Sequence, residues 1–129
     1  MTKLSVLGRV AGSACIAIGG VQLVGGVRAE PGMDDDATVD SHVRFMGSVF
    51  IAYGLDWLEA ASRPEPQVDR MRVLAGLMAA GGASRLATRA TIGRPHRLHD
   101  ALMAIELAAP VLVEVLARRD RPLSVNAPG

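Results

Sequence analysis

The fold is decided by residues 10–27, VAGSACIAIGGVQLVGGV, where eighteen consecutive residues carry no charge. As an α-helix this stretch would be about 27 Å long, nearly the thickness of the hydrocarbon layer of a membrane. It is therefore predicted to span a membrane. A cleaved signal peptide is the alternative, with Lys3 and Arg9 as its basic end and residues 27–29, VRA, as the cleavage site. The length of the run and its many glycines favour the membrane helix.

Three further apolar blocks follow, at residues 43–61, 73–92 and 98–117. Each is long enough to span a membrane, although each also contains two or three charged residues. Most of these charges lie near the block ends, where long side chains can reach the headgroups. The uncharged runs inside the blocks are shorter, so a water-soluble helical bundle remains an alternative.

Residues that stop helices separate the four blocks. The breaks read EPG at residues 30–32, RPEP at 63–66 and GRP at 93–95, and Asp40 and Ser41 stand where a helix N-cap is expected. The sequence therefore predicts an all-α protein, a four-transmembrane-helix antiparallel bundle. Its single domain covers residues 1–121, with helices at about 5–27, 42–61, 71–92 and 97–117, and residues 122–129 form a disordered tail.

The composition excludes several function classes. The chain has 129 residues, 14 Lys and Arg against 13 Asp and Glu, and one Cys. A net charge of +1 gives no basis for nucleic-acid binding, and one Cys excludes an internal disulfide and a multi-thiolate zinc site. The sequence contains no phosphate-binding glycine loop, paired-His zinc-protease motif or nucleophile elbow. No cofactor is predicted, and enzymatic activity is left open but not favoured.

The basic residues predict the orientation, because Lys and Arg concentrate on the cytoplasmic side of a membrane protein. One side carries eight of them, namely Lys3, Arg9, Arg63, Arg70, Arg72, Arg118, Arg119 and Arg121. The other side carries five, namely Arg28, Arg44, Arg89, Arg94 and Arg97. We therefore expect both termini in the cytoplasm of a bacterium and the protein in its inner membrane.

Small residues recur along one face of the first helix, at alternating steps of four and three. The face consists of Gly8, Gly12, Cys15, Gly19, Gln22 and Gly26. Small side chains let helix backbones approach closely in lipid, so Gly8, Gly12, Gly19 and Gly26 are predicted to pack on another helix, within the chain or in a dimer. A second small stripe on the third block comprises Gly76, Ala80, Ala83 and Ala87.

Three charges lie away from the ends of the blocks, in the outer half of the predicted bundle. These are Arg44, Arg85 and Glu106. Because an unpaired charge in hydrocarbon is expensive, Glu106 is expected to face the interior and to pair with Arg85, Arg44 or both. The cluster is either an ion pair that sets the helix register or a pocket for an anionic or hydrogen-bonding headgroup.

Several short elements of the sequence carry a resemblance to a known family. They are DSHVRFMG at residues 40–47, GGASR at 81–85, and Glu106-Leu107 followed by Pro110. In this order they resemble a bacterial family of small four-helix integral membrane proteins, catalogued as a domain of unknown function, over about residues 5–117. The resemblance implies a four-helix bundle with His42, Arg44, Arg85 and Glu106 as its polar set. It implies no reaction.

A metal site is conceivable at His96, His99 and Asp100, together with His42 and Asp40, since imidazole and carboxylate are ordinary ligands. However, His96 directly follows Pro95 in a loop, and histidine is common at membrane interfaces. No metal site is therefore predicted.

The favoured function is a non-catalytic accessory or scaffold subunit of a membrane complex. Its partners would be the lipid bilayer and either another membrane protein or further copies of the chain. The alternative is a membrane-embedded binding or transport module, which takes a lipid, quinone or other amphiphile in the outer-half polar pocket. An integral membrane enzyme is the third possibility.

Overall fold

The computed structural model describes residues 1–121, which form four α-helices and one short 3-10 helix. The helices are α1, Lys3–Gly25; α2, Ala37–Ser62; α3, Val68–Thr91; and α4, Arg97–Arg119, and the 3-10 turn Gly26–Ala29 follows α1. These residues contain no strand, so the predicted all-α class is confirmed. The predicted disordered tail, residues 122–129, lies outside the described part of the chain.

The start of α2 differs from the sequence-based prediction. We expected Asp40 and Ser41 at the N-cap, but α2 begins at Ala37, and Asp36 caps it by accepting a hydrogen bond from the Val39 N–H at 2.9 Å. Asp40 lies inside the first turn and accepts instead from the Val27 N–H at 2.9 Å. The sequence offers several Asp residues as possible caps. Asp40 bonds to Val27 of the 3-10 turn, and Asp36 caps the helix.

The first hairpin, α1 and α2, is held together by glycines that face each other. A Cβ added at Gly12 would lie 2.6 Å from the Gly54 carbonyl oxygen, and one added at Gly54 would lie 2.6 Å from the Gly12 oxygen. Gly19 and Gly47 make the same reciprocal contact two helical turns nearer to the α1–α2 connection, also at 2.6 Å. Only glycine permits backbones to lie this close, so the two helices pack against each other closely at both positions.

Further contacts of the stripe on α1 lie at its two ends. Gly8 faces Ala61, whose Cβ would be 2.6 Å from an added Cβ. Gly26 has φ 59°, in the left-handed region that favours glycine, and an added Cβ there would clash with Asp40.

Ion pairs join the helices of the second hairpin, α3 and α4, beside their apolar contacts in the core. Arg72 and Arg85 lie 2.9 Å from carboxylate oxygens of Glu114 and Glu106, respectively. Arg89 pairs with Asp100 nearer to the α3–α4 connection. The two hairpins therefore differ, because reciprocal glycine contacts join the first and, within residues 1–121, ion pairs cross only the second.

The two hairpins share one core, located at the end of the bundle where residues 1–3 and 120–121 lie. We call this the terminal end, and the opposite end, with the α1–α2 and α3–α4 connections, the loop end. The core consists of Leu4, Trp57, Ala60, Met71, Leu74, Ala75, Val113 and Ala117. Tyr53 donates a hydrogen bond to the Leu74 carbonyl beside this core. The core thus joins the two hairpins at the terminal end.

The outer surface of all four helices carries exposed large apolar side chains. They include Val6, Val10, Val21 and Val24 on α1, Val39, Phe45, Val49 and Leu55 on α2, Val73, Leu77 and Leu86 on α3, and Leu98, Ile105, Leu107, Val111 and Val115 on α4. By length and composition, Lys3–Ala29 is the one helical stretch of residues 1–121 that is long and apolar enough to cross a membrane. A signal sequence near an N-terminus has the same properties.

Candidate functional site

The inner face of the second hairpin changes from apolar to polar toward the loop end. Residues seven apart share a helix face, because seven residues make nearly two turns. Val113 of α4 lies in the core, and Glu106 and His99 precede it at intervals of seven. Met71 of α3 also lies in the core, and Arg85 follows it at twice that interval. The three polar side chains therefore point into the bundle above its core.

One glycine of α3, Gly82, makes room for α4 beside Glu106. A Cβ added at Gly82 would lie 3.2 Å from the Glu106 Cβ and 2.9 Å from the Leu107 Cγ. At Gly81 an added Cβ would lie 3.7 Å from Glu106 Oε2, which is an ordinary contact. Gly82 thus lets α4 approach α3 closely where Glu106 meets Arg85.

Arg85 connects the two polar residues of α4. Its Nε donates to Glu106 Oε2 at 2.9 Å, and its Nη1 lies 2.9 Å from His99 Nδ1. A guanidinium can only donate, so Nδ1 is the acceptor in this contact. Within the cluster of Arg85, His99 and Glu106, the Glu106 carboxylate compensates the charge of Arg85. We call these three residues the Arg85 cluster.

The cluster is less enclosed than the core below it. The side chains of Arg85 and Glu106 are 30% and 14% exposed, respectively. On the same face of α4, two turns nearer the terminal end, Val113 is 0% exposed. The core is therefore fully enclosed, whereas the Arg85 cluster is only partly buried.

The other two residues of the predicted polar set lie elsewhere. Arg44 donates from Nε to Asp40 at 2.8 Å and from Nη1 to the carbonyl oxygens of Leu23 and Val24 at 3.0 and 2.8 Å. It thereby ties α2 to the end of α1, and Glu106 pairs with Arg85 instead. His42 is exposed and lines an open groove of about 920 Å³ with Met33 and Phe45. The structure thus brings together two of the four residues.

His99 was not predicted to belong to this cluster, but only as a conceivable metal ligand beside His96. The Nδ1 of His96 instead accepts from the Leu98 N–H at 3.2 Å and caps α4. Within residues 1–121, no group of three or more His, Cys, Asp or Glu side chains could hold a metal ion. The regular spacing of His99, Glu106 and Val113 was the signal that could have placed His99 on the inner face.

The comparison with protein families gives one match. A family model described as Domain of unknown function (DUF4345) matches residues 4–117, which confirms the predicted resemblance to a family of unknown function. No curated protein and no solved structure matches the chain significantly.

Proposed function

The chain belongs to the DUF4345 family, and from this premise we propose that it is a small multi-pass protein of the bacterial inner membrane. Its role in that membrane is that of a non-catalytic accessory or scaffold subunit. It docks through its helix faces against a larger membrane protein or further copies of itself. Both termini, and with them the terminal end of the bundle, lie on the cytoplasmic side.

The observation that carries this proposal is the placement of large apolar side chains outside the bundle. Phe45 and Val111 are each 64% exposed, and comparable side chains are exposed on every helix. The interior of the first hairpin, in contrast, is built from glycines. A large apolar surface is a liability in water but is the ordinary outer surface of a protein in lipid, where small residues form the helix contacts.

The charges on α3 and α4 also suit a membrane. Arg85 pairs with Glu106, and Arg89 pairs with Asp100. Intramembrane charges are tolerated when they face the interior and compensate each other. Pairing of this kind lets helices with several charges span a bilayer together with the apolar α1.

Two glycines offer places where a helix of another protein can dock. A Cβ added at Gly20 of α1 or at Gly76 of α3 would meet nothing within 4 Å. Gly76 begins the stripe that continues through Ala80, Ala83 and Ala87, all of which are exposed. Exposed small residues permit close approach of a partner helix in lipid, which supports a docking role.

Membrane insertion is tested by carbonate extraction and by reporter fusions. We expect the protein to stay in the membrane pellet, and alkaline phosphatase fused after Arg121 to be inactive. Release into the carbonate supernatant would contradict the membrane proposal. A mature chain that begins just after Ala29 would show that α1 is a signal peptide.

Docking is tested by extracting the protein in a mild detergent and measuring the mass of the native complex. We expect a stoichiometric complex that is lost in Gly76→Leu and kept in Ala108→Leu, which adds similar bulk to an exposed position of α4. Both variants should unfold at the wild-type temperature. A monomeric wild-type protein without a stoichiometric partner would contradict the scaffold role.

A second candidate function is the binding of an amphiphile beside the Arg85 cluster. The observation that favours it is the loss of burial along the inner face, from Val113 at 0% to the partly exposed Glu106 and Arg85. Detection of a co-purified lipid by mass spectrometry of the intact protein would support it.

A further inference from the structure

We propose that three cationic side chains at the terminal end of the bundle bind the phosphate of an anionic phospholipid in the cytoplasmic leaflet. They are Lys3 of α1, Arg119 of α4 and Arg121, which follows α4, and we call them the terminal cations. The proposal rests on the proposed function, because that function places the protein in a membrane with this end on the cytoplasmic side. It adds the class of lipid and the surface of the protein that selects it.

The first and the last helix bring the terminal cations together. The Leu4 N–H of α1 donates a hydrogen bond to Asp120 Oδ2 at 2.9 Å, although these two residues are 116 apart in the sequence. Lys3 directly precedes Leu4, and Arg119 and Arg121 flank Asp120. All three cations therefore extend from backbone that lies next to this one contact.

The terminal cations are exposed and form no ion pair within residues 1–121. Residues 122–129 add no acidic side chain. Arg9 also forms no ion pair within the described residues, but it lies on another face of α1. The remaining arginines at this end each pair with a carboxylate, and they are Arg63, Arg70, Arg72 and Arg118. The terminal cations thus differ from these neighbours in having charge to offer a partner.

The carboxylate closest to them in the chain, Asp120, is used by α1. It accepts from the Leu4 N–H in the first turn of the helix. There the N–H groups have no partner within the helix, and the helix dipole favours a negative charge. Three cations therefore stand against one carboxylate, which leaves this corner of the bundle positively charged.

An exposed apolar stripe leads from the cation of each helix toward the loop end. On α1, Val10 lies seven residues after Lys3 and is 62% exposed. On α4, Leu112 and Ile105 precede Arg119 at intervals of seven, and both are exposed. Residues seven apart share a helix face, because seven residues make nearly two turns. An amphiphile with its headgroup at the terminal cations can therefore lay its acyl chains on these two stripes.

The combination of charge and apolar surface decides the class of partner. A free phosphate would use the cations alone, and a nucleic acid would need a broad basic surface, whereas the net charge of the chain is +1. An anionic phospholipid supplies a phosphate followed by hydrocarbon, and basic residues at a membrane surface attract such lipids. The loop end carries three consecutive acidic residues, 34–36, which would repel the same headgroup.

The test measures lipid selection by the full-length protein in nanodiscs. The discs contain equal amounts of dioleoyl phosphatidylglycerol and dioleoyl phosphatidylcholine, which have the same acyl chains and differ in the net charge of the headgroup. Native mass spectrometry identifies the lipids that stay bound when the protein is released from the disc. We expect one phosphatidylglycerol per chain, enriched over phosphatidylcholine.

The matched variants each remove two positive charges from the terminal end. Lys3→Gln with Arg119→Gln removes two terminal cations. Each basic residue near a membrane surface contributes about fivefold in affinity for anionic lipid, so the enrichment should fall roughly twentyfold. Arg63→Gln with Arg118→Gln removes two arginines that are paired with carboxylates, and it should keep most of the enrichment.

Thermal unfolding in the discs gives a second measurement. In phosphatidylcholine alone, both double variants should unfold at the wild-type temperature, since all four substituted side chains are exposed. Addition of phosphatidylglycerol should raise the unfolding temperature of the wild type, because a ligand that binds the folded state stabilises it. The Arg63→Gln, Arg118→Gln variant should gain as much, and the Lys3→Gln, Arg119→Gln variant should gain little.

Three results would overturn the inference. They are no enrichment of phosphatidylglycerol by the wild type, equal enrichment by the two double variants, and loss of a co-purified protein in the Lys3→Gln, Arg119→Gln variant with unchanged lipid selection. The last result would assign the terminal cations to a protein partner. In a protein that resists carbonate extraction, each of the three would leave the membrane proposal intact. Release from the membrane by carbonate would remove both.

Discussion

Replacing Gly12 by Ala tests the close contact that holds the first hairpin together. The new Cβ would lie 2.6 Å from the Gly54 carbonyl oxygen and 2.8 Å from the Leu58 Cγ, whereas ordinary contacts begin at 3.4 Å. The leucine side chain can rotate, but the carbonyl belongs to the backbone of α2 and cannot yield alone. The helices must therefore separate locally by about 0.8 Å, the difference between the ordinary contact of 3.4 Å and the 2.6 Å to the Gly54 oxygen.

The expected loss of stability follows from two opposing effects. Overpacking a well-packed contact costs about 1–3 kcal/mol, while Ala in place of Gly stabilises a helix by about 0.5–1 kcal/mol. We expect a net loss of about 1–2 kcal/mol in the free energy of unfolding, measured by SDS titration in mixed micelles. Gly20→Ala is the matched control on the same helix, because its Cβ meets nothing within 4 Å, and it should be neutral or stabilising.

The double variant gives a sharper test. Gly54→Ala makes the reciprocal clash, 2.6 Å from the Gly12 oxygen, so helices already separated by Gly12→Ala should accommodate it at a lower cost. The effects of the two substitutions should therefore be less than additive. Equal stability of Gly12→Ala and Gly20→Ala, or strict additivity in the double variant, would refute the reasoning.

Three further predictions concern polar contacts. Arg85→Gln and Glu106→Gln should each lower the free energy of unfolding, because each leaves a partly buried charge without its partner, and the double variant should recover part of the loss; additive effects in SDS titrations would contradict this. Tyr53→Phe should cost about 1 kcal/mol through loss of the bond to the Leu74 carbonyl, with Phe50→Leu as a control that keeps this bond. Asp40 lies outside the apolar part of α2, where hydrogen bonds from the Arg44 side chain and the Val27 N–H hold the pKa of its carboxyl below the usual value. Because its pKa is lower in the folded state, the ionised Asp40 carboxylate stabilises the fold at neutral pH, and this stabilisation is lost as the pH falls through the folded-state pKa. Asp40→Asn should therefore be less stable than wild type at pH 7, and thermal unfolding should show the difference shrinking below about pH 4.

The sequence by itself determined the helical class and the approximate helix positions. Long apolar blocks separated by Pro and Gly define helices through local chemistry, so residues 10–27 were recognisable without any partner. The stripe containing Gly8, Gly12 and Gly19 was readable for the same reason, because a repeat of three and four residues places its members on one helix face. Periodicity of this kind shows which residues share a face.

Periodicity does not show what the face contacts, and that is where the tertiary structure was needed. The pairing of Gly12 with Gly54 joins residues far apart in the sequence and depends on how each helix is rotated about its own axis. Small rotations also decide between partners of similar chemistry. Arg44 was a reasonable partner for Glu106 by its depth in the bundle, but its guanidinium bonds Asp40 and two carbonyls at the end of α1.

The fall in burial along the inner face of α4 is likewise a tertiary property. The core residue Val113 and the partly exposed Glu106 lie on the same face of α4, so their seven-residue spacing predicts the same burial for both. Their environments differ because Val113 lies in the shared core, whereas Glu106 lies outside it and pairs with Arg85. Which positions of an inner face the core covers depends on the sizes of side chains on all four helices together, so only the assembled structure decides it.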